Sequence, residues 1–470
     1  MKNILKGWIR ALLVDPKVIA IARKFLGPFP IVEDYVRVWN YLLKKKLFSN
    51  NSALTYTVRD QANIVAVNCE QKQLLIDISE LILRDVHTGI QRVVHGILQK
   101  LLSNSPIGHY IVKAVYADAS GQLRFANKFT QKLLAEVEHD ADDSLIEARS
   151  GDIFFCPDLH LNYPFATLAA LQQRGLHIIF AIHDIIGLRN AHLFPRAYEL
   201  AFTDWIAGVM SVTDAIVCVS RTVASEVKTW LEEHPGQRTY PLPIGYFHLG
   251  ANIESSQPIQ APENDSILIL AACRSHPTIL MVGTIEPRKG HSQALAAMEI
   301  FWKVGMDLNL VIIGKEGWRT QQLARQLRRH PERNQHLFWL ENASDSLLIE
   351  LYKQSSALLA ASFAEGFGLP LIEAAYYGLP IIARDIPIFH EVAGEYAYYF
   401  PNTNSSDLAE SIQHWLELDA QGNAPQSKGM PYLTWEQSTQ QLLKVLLEDN
   451  WYTTYQPDKV DTTNKSDSTG

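Results

Sequence analysis

The feature that most restricts the fold is a recurring unit: a short apolar run, a polar or glycine-bearing loop, then a helix-length stretch. Leu74–Ile78, Ile178–Ile182, Thr278–Val282, Leu310–Ile313 and Ala357–Ala361 are such runs. Apart from Asp77 and Thr278 they are unbroken apolar runs rather than alternating ones, which is the pattern of strands covered on both faces. Further strands are expected at Tyr110–Tyr116, Asp152–Cys156, Ala215–Val219, Tyr246–Leu249, Leu337–Leu340, Ile381–Asp385 and Tyr398–Phe400. Helices are expected within Tyr163–Arg174, Phe194–Val212 and Thr222–Glu232, and near 405–418 and 433–448. Strand alternating with helix gives an α/β protein with parallel sheets, and ligands then sit at the C-terminal strand ends. At 470 residues the chain has room for two or three domains.

The most informative loop is Ala364-Glu365-Gly366-Phe367-Gly368-Leu369-Pro370-Leu371-Ile372-Glu373. Pro370 suits a first helical turn, and Gly378 with Pro380 ends the helix. Loop amides and a helix N-terminus make an anion site, and Gly366 and Gly368 let backbone approach a ligand. Glu365 on the loop and Glu373 in the helix flank it. Carboxylates accept hydrogen bonds from hydroxyls. A phosphate between two hydroxyl-bearing ends fits, and a nucleotide sugar is one such ligand. An acid in a first helical turn is also simply a good dipole partner.

Four other strand ends carry candidate groups. Gly283-Thr284-Ile285-Glu286-Pro287-Arg288-Lys289-Gly290 is a basic loop before a helix from about Ser292, and Arg288 with Lys289 can neutralise a diphosphate. Gly314-Lys315 follows the next strand. Gly89 opens a helix whose apolar positions are 90, 93, 94, 97, 98 and 101, and Arg92 lies one turn in. His183-Asp184 follows Ile178–Ile182, with Asp184 placed to orient the ring. Gly250 precedes a polar stretch at 253–275 that reads as a domain junction. Ser220 reads as a helix cap and is not counted as a site.

A net charge of −8 does not favour nucleic-acid binding. Cysteines 69, 156, 218 and 273 are widely spaced, which argues against zinc and disulfides and fits a cytoplasmic protein. No apolar run reaches 18 residues, so no transmembrane helix is expected, and Asp15, Pro16 and Lys17 argue against a signal peptide. Residues 1–50 hold ten Lys/Arg against three acids, interleaved with Trp8, Phe25 and Trp39. Such helices can lie peripherally on an anionic membrane surface; a solvated basic appendage is the other reading.

The chain resembles the retaining glycosyltransferases of family 4 from roughly Leu74 to Phe400, through Glu365 and Glu373 spaced as the family's two glutamates. The resemblance implies the GT-B fold: two Rossmann-like domains facing across a cleft, here with an extra N-terminal helical segment. The expected division is 1–72 basic segment and linker, 73–265 acceptor domain, 266–430 nucleotide-sugar domain, 431–451 crossover helix and 452–470 disordered tail. It implies that Lys289, with Arg288 in place of the arginine many members carry where this chain has Thr284, holds the donor diphosphate. Glu365 and His183 would contact the donor sugar and Glu373 the ribose. Gly89, Gly283, Thr284, Lys315, Gly366, Phe367, Gly368 and Leu369 would line the donor site. Cofactor and metal are expected to be absent. Thr88–Arg92 and Gly283–Lys289 look like those of bacterial mannosyl- and rhamnosyltransferases building surface polysaccharide. That points to GDP-mannose as donor and a glycan or lipid-linked glycan as acceptor. A GT-B sugar-nucleotide epimerase, a non-catalytic sugar-nucleotide-binding partner and a membrane-surface scaffold are the rival readings.

Overall fold

A computed structural model describes residues 71–457 apart from 86–87, 135–141, 252–262 and 402. The basic segment at 1–50 lies outside the described residues. The N-terminal half contains β1 (Lys72–Asp77), α1 (Ser79–Leu83), α2 (Gly89–Ser103), β2 (Tyr110–Ala117), β3 (Leu123–Phe125), α3 (Asn127–Leu133) and β4 (Ile153–Cys156). It continues through α4 (Phe165–Gln172), β5 (His177–Ile182), α5 (Ile186–Arg189), α6 (Arg196–Val212), β6 (Ala215–Cys218), α7 (Arg221–Glu233) and β7 (Leu242–Tyr246).

The C-terminal half runs α8 (Glu263–Ser275), β8 (Thr278–Val282), α9 (His291–Lys303), β9 (Asn309–Ile313), α10 (Gln321–Arg329), β10 (Leu337–Leu340), α11 (Asp345–Gln354) and β11 (Ala357–Ala360). Then come α12 (Leu369–Tyr377), β12 (Ile381–Arg384), α13 (Pro387–Ala393), β13 (Ala397–Phe400), α14 (Ser405–Ala420), α15 (Trp435–Leu447) and β14 (Thr453–Tyr455).

The strands form two sheets, one per half. The first is ordered β14-β7-β6-β5-β4-β1-β2-β3, and the second β10-β9-β8-β11-β12-β13. Every pairing in the second sheet is parallel. In the first, only the two edges, β14 on β7 and β3 on β2, are antiparallel. The inner strands are buried along their length, as in β4 and β9, which explains their unbroken apolar runs.

Local signals set the element ends. Thr88 and Thr434 each form a full capping box with a glutamine three residues on. Gly378, at φ +74°, closes α12 as expected. The chain leaves the first sheet after β7 and returns with α15, which packs on α2 and β7. Gly96 is required there: a Cβ at this position would lie 2.5 Å from the Trp435 ring. The outgoing and returning passages touch, since the Ala251 N–H donates to the Leu433 carbonyl at 2.8 Å.

Three expectations need correction. The strand placed at Tyr246–Leu249 is Leu242–Tyr246. Pro243 argues against a strand, but pairing with β6 begins only at Ile244, and the other neighbour is a short edge strand. The 265/266 boundary falls inside α8, whose Ile269 and Cys273 are buried and which packs on α11 of the second domain. The tail expected to be disordered from 452 begins with β14, where Tyr455 is buried in the first domain's core.

Candidate active site

The second sheet reverses its strand order between β8 and β11, and the loops leaving these two strands meet. The Phe363 N–H donates to the Arg288 carbonyl at 2.7 Å. Gly290, at φ +74°, sits so close to the Ala361 carbonyl that a Cβ would be 2.3 Å from it. This contact, made possible by glycine, brings Arg288 and Lys289 to Glu365.

Arg288 donates from Nη1 to Glu365 Oε2 at 2.8 Å and from Nε to Glu286 Oε2 at 2.7 Å. Lys289 Nζ is bonded to Glu365 Oε1, which also accepts from Ser362 Oγ at 2.7 Å. Burial alone would raise the Glu365 pKa, but Lys289 and Arg288 hold it down to about 2. Burial works against the Arg288 charge, yet Glu365 and Glu286 push its pKa up. Glu365 therefore stays ionised, and two cations surround it at the mouth of α12. Lys289, Glu365 and Gly368 share a small cavity with His291.

The remaining predicted residues divide. Gly368, at φ +99°, caps α12 with its backbone against the Phe389 ring. Gly283, at φ +140°, lies beside the Lys289 side chain, and Gly314 abuts its carbonyl. Thr284 belongs to that junction, and Lys315 is exposed at the end of β9. Phe367 is buried with its ring 5.5 Å from His248. Leu369 begins α12. Gly89 opens α2 across the cleft, and a Cβ there would meet nothing within 4 Å, so the fold itself does not demand glycine.

Two residues depart from their expected surroundings. Glu373 is 1% exposed, and each of its oxygens accepts one bond from protein: Arg92 Nη2 donates at 2.5 Å and Tyr352 OH at 2.6 Å. A ribose hydroxyl would have to share one of these oxygens with the protein donor already on it. His183 is oriented not by Asp184 but by the Pro157 carbonyl, 2.7 Å from Nε2. A carbonyl only accepts, so Nε2 carries the proton. Asp184 instead accepts from the Ile186 N–H at 3.0 Å. Burial lowers the His183 pKa, favouring the neutral ring.

The two domains close on this site. A Cβ on Gly366 would be 1.9 Å from the His183 carbonyl, so only glycine permits the approach. Ser220 caps α7, as expected, but its hydroxyl also donates to the Gly366 carbonyl at 2.8 Å. Trp318 stacks on Phe194 and donates from Nε1 to the Leu193 carbonyl. Ser220 and His291 were missed as site residues. The His291 ring is buried, and its Nδ1 has no partner among the described residues. Its position one residue after Lys289-Gly290 was the only available signal.

Glu391 on α13 reaches the N-terminus of α7. It accepts from the Arg221 and Thr222 amides at 2.7 Å each, from the Thr222 hydroxyl, and from His248 Nε2 at 2.8 Å. Burial would raise its pKa, but the His248 and Thr222 bonds and these amides lower it to about 2. A depressed carboxyl pKa stabilises above its unfolded value, here near 4.5, and loses that contribution as pH falls through the folded value. Closure should therefore weaken from about pH 4.5 down to about 2. Comparing small-angle scattering of the parent and Glu391→Gln across that window checks this; identical acid profiles would exclude Glu391 as the cause.

Residues 272–429 match the family described as Glycosyl transferases group 1. The match covers about a third of the chain, all of it in the C-terminal half. The chain is 41% identical over 380 residues to the serotype-specific mannosyltransferase WbdA of Escherichia coli, covering 80% of this chain and 45% of that one. It is 30% identical over 171 residues to the O-antigen chain mannosyltransferase B of Escherichia coli, covering 35% of this chain and 44% of that one. The chain thus spans about half the length of these curated relatives. Among solved structures, it is similar to sucrose-phosphate synthase from Thermosynechococcus elongatus, with TM-score 0.56 and 15% identity over 80% of this chain and 98% of that one. Anabaena HepE, solved in complex with UDP and glucose, gives TM-score 0.54 and 14% identity over 80% and 99%. These likenesses and the two parallel sheets establish the GT-B architecture. The matched residues include Arg288, Lys289, Glu365 and Glu373, and the other domain supplies Arg92, His183 and Ser220.

Proposed function

We propose that the protein transfers a hexosyl group, mannose favoured, from a nucleotide-diphosphate sugar to a glycan or lipid-linked glycan in surface polysaccharide synthesis. The observation that carries this is the joining of Arg288, Lys289 and Glu365 at the glycine-opened start of α12. The names of the mannosyltransferase relatives favour mannose, and GDP-mannose is the donor we put forward.

As the bond from the anomeric carbon to the diphosphate breaks, negative charge grows on the leaving oxygen. Arg288, Lys289 and the amides around Gly368 meet it, in place of a divalent ion. Glu365, kept ionised, accepts from hydroxyls of the donor sugar. Neutral His183 presents its other ring nitrogen as an acceptor. We assign retention of configuration: the acceptor oxygen attacks the face the diphosphate leaves, and its proton passes to the departing phosphate oxygen. Residues 1–50 would hold the enzyme peripherally on an anionic membrane; deleting them should then abolish sedimentation with anionic liposomes.

A thermal-shift panel of nucleotide sugars, followed by product analysis with a mannoside acceptor, tests the reading. Stabilisation by GDP-mannose and an α-linked product are expected. Epimerised donor without transfer would favour an epimerase, and binding without turnover a non-catalytic partner.

A further inference from the structure

A small cavity adjoins the donor cluster, and one polar atom of its lining is unused. Lys289, Ser362, Glu365 and His291 are its polar side chains, and Leu359 and Phe389 are among the apolar residues that close it. His291 opens α9, two residues after Lys289. The residue is 2% exposed, and its Nδ1 is buried with no hydrogen-bond partner among the described residues. Leaving a buried ring nitrogen without a bond is unfavourable, so one that is retained calls for a partner. No described side chain or backbone group bonds it, and the cavity that His291 lines is where a partner has room.

That room is the size of a single water. The cavity leaves about 20 Å³ for the centre of a water molecule, and one water needs roughly 10–15 Å³ together with polar groups to hold it. Ser362 is a second such group. It is 5% exposed, and its hydroxyl donates to Glu365 Oε1 at 2.7 Å. A hydroxyl that donates can still accept through its lone pairs. Burial, with Lys289 and Arg288 close by, lowers the His291 pKa to about 3, so the ring is neutral and adds no third cation to the site. A neutral imidazole has one N–H to give. Given from Nδ1, it starts a chain in which every donor points toward one carboxylate: ring to water, water to Ser362, Ser362 to Glu365. Hydrogen bonds aligned in one sense polarise and strengthen one another.

We propose that His291 is a positioning residue, which acts through one buried water and the Ser362 hydroxyl to fix the Glu365 carboxylate, and with it Lys289, for transfer. It rests on the transferase reading above. The test assays the full-length chain with GDP-mannose and α-mannobiose. His291→Leu, which cannot bond a water, should lower kcat by about tenfold, because a small misplacement at the reacting centre slows the chemical step. KM for GDP-mannose should change less than about threefold, since the groups that hold the donor remain. His291→Asn, whose amide N–H can stand in for Nδ1, should return kcat to within about threefold of the parent. Ser362→Ala should lower kcat much as His291→Leu does, and the double variant should be no worse than either alone, the mark of one shared chain. A crystal of the parent should show a water within about 3.2 Å of both His291 Nδ1 and Ser362 Oγ. Parent-like kcat in His291→Leu, fully additive losses in the double variant or no rescue by His291→Asn would overturn the assignment. Should His291→Leu not fold, Ser362→Ala and the parent crystal decide it. A parent that transfers mannose but has a dry cavity would overturn this inference alone. A parent that shows the water but turns over no nucleotide sugar would overturn the transferase reading, and the positioning role with it.

Discussion

Lys289→Ala should lower sugar transfer by at least ~100-fold, roughly 2.7 kcal/mol of barrier. Lys289 and Arg288 share one carboxylate, Glu365, in a site nearly closed to water. Such a site magnifies charge stabilisation at the moment of bond breaking. Removing the lysine leaves one cation to balance both Glu365 and a departing diphosphate. Glu365→Ala should cost at least ~100-fold as well, by the opposite route. It leaves Lys289 unopposed and Arg288 paired only with Glu286, so GDP should bind at least as tightly while turnover collapses. Measuring turnover and GDP affinity for each variant separates these routes. Near-parental transfer in both would remove the site assignment.

Arg92→Ala should destabilise the folded protein by about 3 kcal/mol, the low end for removing one partner of a buried pair. Glu373 is 1% exposed and would keep only the Tyr352 hydroxyl. The Arg92 side chain is 27% exposed, which is why the low end applies. Because Arg92 lies on α2 and Glu373 on α12, the loss falls on the contact between domains. Denaturant unfolding of Arg92→Ala beside Glu373→Gln reads it. Unchanged stability together with tighter GDP binding would instead make Arg92 a competitor for the nucleotide's place.

Much of this was legible because parallel α/β sheets write themselves as unbroken apolar runs. Thr278–Val282 and Leu337–Leu340 appear as strands with the expected ends. Glycines at helix mouths marked the loops around Lys289 and Glu365, and those loops do meet. What the sequence hid was partnership across distance. Arg92 and Glu373 are 281 residues apart, and Ser220 and Gly366 are 146 apart. Nothing local to either member distinguishes a cap from a bond between domains. The same limit applied to His183, whose neighbour Asp184 was the obvious partner in sequence, while Pro157 is the partner in space. Pro243 and the polar residues of β14 misled for a different reason. Edge positions tolerate residues that inner strands reject.

The hydrogen bond between Ala251 and Leu433 has a mechanical meaning. The polypeptide passes between the halves twice, and both passages are tied at one spot. Two adjacent covalent tethers allow pivoting about the line through them far more readily than sliding. The molecule should thus open in the manner of a book along its spine. Substrates would then enter and products depart by a single swing, in which the bonds of Ser220, Glu391 and Arg92 to the facing half let go as a set.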